Sequence, residues 1–86
     1  MFKIKTPVAW QIYDNIVYIF DDKNRTTYTL DGTGLLIWKC IAAGYTLTDI
    51  LKTVAEAYMI DVELIKEDVV EFIEELKGCD LLEVVE

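Results

Sequence analysis

The spacing of apolar residues changes its period once along this chain, near residue 30. Before that point β-branched and aromatic residues come in short runs. Val8-Ala9-Trp10-Gln11-Ile12-Tyr13 and Ile16-Val17-Tyr18-Ile19-Phe20-Asp21 read as two strands, and Thr26-Thr27-Tyr28-Thr29-Leu30 as a third. Asp14-Asn15 suits a two-residue hairpin turn, because both residues tolerate positive φ, and Asp22-Lys23-Asn24-Arg25 makes a second turn. The middle strand is apolar on both sides, with Ile16, Tyr18 and Phe20 on one and Val17 and Ile19 on the other. It is therefore expected to be central or covered on both faces.

After residue 30 the period becomes helical. Asp31 is a good N-cap for a helix running to about Ala42, with Gly44 as its stop. Leu35, Leu36, Ile37, Trp38 and Ile41 cover most of its circumference, so this helix should be buried centrally. Thr46 opens a second helix, and Asp49 three residues on favours its positive end. Ile50, Leu51, Val54, Ala55 and Tyr58 line one face of it, and Met59-Ile60 connects it onward. Asp61 caps a third helix that ends near Lys77, with Gly78 following. Val62, Ile65, Val69, Phe72, Ile73 and Leu76 form its apolar stripe. Leu81 to Val85 can form a short final strand. The pattern predicts an α+β, winged-helix-like domain spanning residues 1–86: a three-stranded antiparallel sheet followed by a three-helix bundle.

Composition narrows the chemistry. The chain of 86 residues is 53% hydrophobic, which suits a dense core or an apolar surface kept for a partner. It has no histidine, and so lacks the commonest general acid–base and metal ligand. Its two cysteines, Cys40 and Cys79, lie too far apart in sequence for a CxxC pair and read as small core residues, with a disulfide as the lesser alternative. No enzyme activity, metal or cofactor is expected. Met1 to Lys5 is basic without the apolar run of a signal peptide, and no stretch is long enough to span a bilayer, so a cytoplasmic location without membrane attachment is expected.

Charge is segregated. Residues 1–60 carry six acids and six bases, whereas residues 61–86 carry ten acids and two bases, which accounts for the whole net charge of −8. A winged-helix shape would put the third helix in a DNA groove, but its outward face here is carboxylate, so no nucleic-acid partner is expected. Glu63, Glu67, Glu71 and Glu74 project from a helix rather than converging, and read as a solvated face. Asp31-Gly32-Thr33-Gly34 lacks the lysine of a phosphate loop, so its glycines serve the strand-to-helix corner. Trp10, Tyr13, Tyr18, Phe20 and Tyr28 are more aromatics than one face of a small sheet can hide, which points to a binding surface or a homodimer.

Several segments, in order, resemble a known family. Leu30-Asp31-Gly32-Thr33-Gly34-Leu35-Leu36-Ile37-Trp38 resembles the segment that closes the sheet and opens the first helix in PqqD-like proteins. Gly44-Tyr45-Thr46-Leu47-Thr48-Asp49-Ile50 is similar to their second-helix start. Asp68-Val69, Phe72-Ile73, Leu76 and Leu81-Leu82 match the pattern of their third helix and of the short segment after it. The resemblance implies a recognition element for ribosomally made precursor peptides. It implies that a leader segment adds as an antiparallel strand to the third strand, in a groove against the third helix. The core of the precursor would then be presented to a separate maturation enzyme, either a radical SAM maturase or, in lasso-peptide systems, a leader peptidase. On this reading Arg25, Thr26, Thr27, Tyr28 and Thr29 supply the edge, and Lys66, Val70 and Lys77 beside Ile73 supply the helix wall. That wall would suit an acidic leader. The opposite flank, Leu64 and Asp68, is the rival wall, and self-association through the aromatic sheet is the alternative function.

Overall fold

The computed structural model describes residues 2–5 and 8–85. Its elements in chain order are β1 (Phe2–Ile4), β2 (Ala9–Tyr13), β3 (Ile16–Asp21), β4 (Thr26–Leu30), α1 (Gly32–Ala42), α2 (Leu47–Tyr58), α3 (Val62–Gly78) and β5 (Leu82–Val84). The expected antiparallel sheet is present, in the order β2-β3-β4, and three helices follow it. A second, two-stranded ribbon, which the sequence pattern did not predict, pairs β1 with β5. Three residues are too few to show a period, and β1 exists because β5 supplies its partner.

Local chemistry explains each boundary. Asp14 and Asn15 take φ of 53° and 62°, giving a turn whose twist matches the strands it joins. At the β3–β4 turn the carboxylate of Asp21 is buried and accepts from the backbone N–H of Lys23 at 3.2 Å and from the side-chain amide of Asn24 at 2.8 Å. Arg25 then completes the turn at φ 51°. Thr46 and Asp49 form a reciprocal capping box on α2. The side chain of Asp61 accepts from the N–H of Glu63 at 3.1 Å at the start of α3.

Two caps differ from expectation. Asp31 sits at the N-cap of α1 but its side chain makes no capping bond. The corner is made instead by Gly32, at φ +52° with nothing within 4 Å of where a Cβ would stand, so backbone conformation and not space requires glycine there. Gly78 does not stop α3 but is its last residue, and the left-handed turn falls to Asp80 at φ 64°.

The core gathers Val17 and Ile19 from the sheet, Leu35, Ile37, Trp38 and Ile41 from α1, and apolar residues of α2, α3 and β5. Burying each large side chain contributes about 1.5–3 kcal/mol. The middle strand is central, as expected, but only one face of it is covered. Val17 and Ile19 are fully buried, whereas Phe20 on the opposite face is 43% exposed, because all three helices pack on one side. Cys40 is buried and Cys79 half-buried, and both are free.

Lys5, just past β1, forms an ion pair with Asp80, and Lys23 approaches the same carboxylate at 3.9 Å. The hydrogen bond and charge of Lys5 hold the Asp80 carboxyl below the usual carboxylate range. A depressed carboxyl contributes stability that is fully present above its unfolded value of about 3.9 and is lost as pH falls through the lower folded value. Asp80→Asn should remove this part of the acid limb of a stability–pH profile and leave the neutral limb parallel to the wild type. An unchanged acid limb would show that the pair does not couple to folding.

Candidate peptide-binding edge and groove

β4 is an edge strand, paired only with β3 among the described residues. The ladder settles which of its backbone groups are free. A two-residue turn makes its flanking pair, Tyr13 and Ile16, a hydrogen-bonded one, and bonded and non-bonded pairs then alternate. Ile16, Tyr18 and Phe20 therefore bond toward β2, and Val17, Ile19 and Asp21 toward β4. Their partners Leu30, Tyr28 and Thr26 face inward, which leaves the N–H and C=O groups of Thr27 and Thr29 pointing away from the sheet. Two exposed threonines thus form a soluble edge with two free donors and two free acceptors.

The side chains of Tyr28 and Leu30 face the helices. The Tyr28 hydroxyl lies against Cys79, and burial, with the thiol adding to it, raises its pKa. Leu30 lies beside Gly34, where a Cβ would come within 3.3 Å of the Phe72 ring. Glycine at this position lets α1 and α3 approach where β4 ends. Beyond that point a groove of about 460 Å³ opens between α1, α2 and α3, lined by Thr33, Gly34, Ile37, Val54, Tyr58, Ile60, Ile65, Asp68, Val69 and Phe72. Thr33 donates to the Tyr58 hydroxyl at 3.0 Å across its rim. Asp68 is its one charged lining residue, and Glu71 and Glu75 follow on the same side of α3.

The structure therefore divides the predicted site residues. Arg25, Thr26 and Thr27 border a shallow hollow at the start of β4, and Tyr28 and Thr29 continue the edge. The helix wall built from Lys66, Val70, Ile73 and Lys77 lies elsewhere. Val70 and Ile73 face Phe2 and Leu47, and Ile73 is only 2% exposed. Lys66 is exposed beside Glu63 and Glu67, and Lys77 pairs with Glu74 at 3.2 Å. Phe72 of α3 and Cys79 just after it approach the sheet beside Leu30 and Tyr28 of β4, and Asp68, from the rival flank, lines the groove next to Phe72, while Leu64 of that flank is exposed. Periodicity places Phe72 in the core stripe alone. The signal for its second role is Gly34, a glycine inside a helix where close approach is needed.

Residues 17–82 match the family described as coenzyme PQQ synthesis protein D (PqqD). The chain belongs to the PqqD family. Among solved structures it is similar to one described as TbiB1 in complex with the TbiA(beta) leader peptide, with a TM-score of 0.90, 25% identity and 98% of each chain covered. A lasso peptide synthetase B1 complexed with the leader peptide has the same fold, with a TM-score of 0.86, 16% identity, and 96% of this chain and 98% of that one covered. No curated protein sequence matches the chain. Within this PqqD-family chain no group of three potential metal-ligating side chains occurs among the described residues, and no described helix is long and apolar enough to cross a membrane.

Proposed function

We propose that this PqqD-family domain is a non-catalytic binder of the leader segment of a ribosomally made precursor peptide. The leader adds antiparallel to β4 and the domain hands the remainder to a separate maturation enzyme. The carrying observation is the free edge of Thr27 and Thr29 on a strand that ends at Leu30 beside Gly34, itself a lining residue of the apolar groove that holds Phe72. Main-chain bonds supply affinity that tolerates sequence, and the groove supplies selectivity for side chains. The leader-peptide complexes named for the two similar structures support the reading.

Antiparallel addition fixes the direction. The N-terminal part of the leader lies at the Leu30 end, over the groove, and its C-terminal part leaves past Arg25. The core of the precursor is then displayed at the β3–β4 turn, where a leader peptidase or radical SAM maturase would receive it. Asp68, Glu71 and Glu75 favour a neutral or basic residue over the groove rather than an acidic one.

Calorimetric titration with synthetic leaders tests this. No binding tighter than about 100 μM, near −5.5 kcal/mol, would count against it. The two flanks of α3 separate in the same assay. Phe72→Ala should weaken binding about tenfold, as loss of an aromatic anchor does, while Val70→Ala stays within about twofold. The reverse ranking would return the site to the Lys66–Lys77 side.

A further inference from the structure

The sheet has a second edge, β2, whose residues Ala9-Trp10-Gln11-Ile12-Tyr13 are all exposed. By the same alternation of bonded pairs, Ala9, Gln11 and Tyr13 bond to β3, so Trp10 and Ile12 point their backbone N–H and C=O groups outward. This edge is unlike β4. It carries no charge and three large apolar side chains, with Trp10 38%, Ile12 39% and Tyr13 69% exposed. Edges left free in solution are normally protected by charge, proline or a bulge, and β2 has none of these.

We propose that β2 pairs with β2 of a second copy of this chain, giving a continuous six-stranded sheet. An antiparallel two-fold through Gln11 sets Trp10 of each copy against Ile12 of the other, and all four outward donors and acceptors on each strand are then used. The facing pairs are Trp10 with Ile12, Gln11 with Gln11, and Ala9 with Tyr13, none of which sets like charges together. Trp10 already packs edge-on against the buried Trp38, with centroids 6.1 Å apart, and so presents a fixed surface. On its helix side lies a hollow of about 400 Å³ lined by Phe2, Ile4, Ile41 and Val85, into which Ile12 of the second copy projects.

Charge favours a second copy at this edge and not at β4. The acidic helix α3 meets the β4 side of the sheet, through Phe72 beside Gly34 and Cys79 beside Tyr28. Joining β4 edges would bring two such helices together. Joining β2 edges leaves the two β4 strands five strand spacings apart, about 24 Å, well beyond the screening length of about 8 Å. Both β4 edges also remain open, so the dimer does not depend on the peptide-binding proposal.

Sedimentation velocity from low micromolar to millimolar concentration provides the test. The wild type should show a concentration-dependent dimer. Gln11→Lys, which sets two ammonium groups across the two-fold, should weaken it at least about fivefold. Mixing Gln11→Lys with Gln11→Glu should restore association as a mixed dimer, and Ile12→Pro should abolish it while circular dichroism shows a folded sheet. A wild-type chain monomeric throughout, or a dimer indifferent to these substitutions, overturns the proposal. Leader affinity measured on the same variants stays unchanged, so its loss would bear on the peptide site alone.

Discussion

Replacing Thr27 and Thr29 together by proline is expected to lower affinity for a leader peptide by roughly thirtyfold or more while the domain stays folded. The two prolines remove the outward-pointing donors of β4 and leave the carbonyls that would meet them on the peptide without partners. Each such orphaned group costs about 1–3 kcal/mol in a dry contact, and about 1.4 kcal/mol is tenfold in affinity. The β3–β4 ladder does not use these donors, and an edge strand accepts proline where its N–H faces solvent. Tyr28→Pro is the contrasting variant. Its N–H bonds inward to β3, so it should destabilise the sheet itself. Titration of a leader against both variants and the wild type, with thermal melts alongside, separates lost binding from lost folding. Undiminished affinity on a folded double-proline domain would mean that the peptide does not add to this edge.

The second large effect concerns the core. Trp38→Ala should lower the free energy of unfolding by about 3–5 kcal/mol, the usual range for truncating a buried tryptophan. Trp38 is fully buried and packs against Trp10. Domains hold about 0.05–0.15 kcal/mol per residue, so for a chain of 86 residues this is a large share of the total, and the midpoint of urea denaturation should fall in proportion. Trp38→Phe should cost far less than the alanine change. The indole Nε1 has no hydrogen-bond partner among the described residues, so phenylalanine discards a donor that is already unsatisfied. Urea denaturation of both variants checks the pair. A loss under about 1 kcal/mol for Trp38→Ala would show that the core closes over the gap.

Much of this architecture was legible in the sequence because local signals agreed with it. Asp14-Asn15 fixed the first hairpin, Thr46 with Asp49 the start of α2, and the stripe from Val62 to Leu76 the buried face of α3. Anything decided by a partner far along the chain could not be read. β1 is three residues long and becomes a strand only opposite β5. The orientation of α3 was ambiguous for the same reason. Its stripe shows which residues are buried, but Val70 and Asp68 flank that stripe symmetrically, and periodicity does not reveal which flank adjoins β4. That choice comes from the close approach of Gly34 to Phe72, a contact between two helices. Lys66 and Lys77, the cations that marked one flank in the sequence, sit beside Glu63, Glu67 and Glu74.

The ribbon of β1 and β5 bears on the order in which the chain assembles. The β2–β3 and β3–β4 hairpins and the α2–α3 corner close over a few residues, and so form without a large loss of chain entropy. The pairing of Phe2 with Val84 joins the two ends of the described chain, and its loop spans nearly everything else. Such a contact gains little until the intervening helices have packed, which makes it a late event in folding. By the same reasoning it is an early one in unfolding. The ribbon is then a latch that completes the core by seating Leu82, and the hairpins that carry the peptide edge are in place before it shuts.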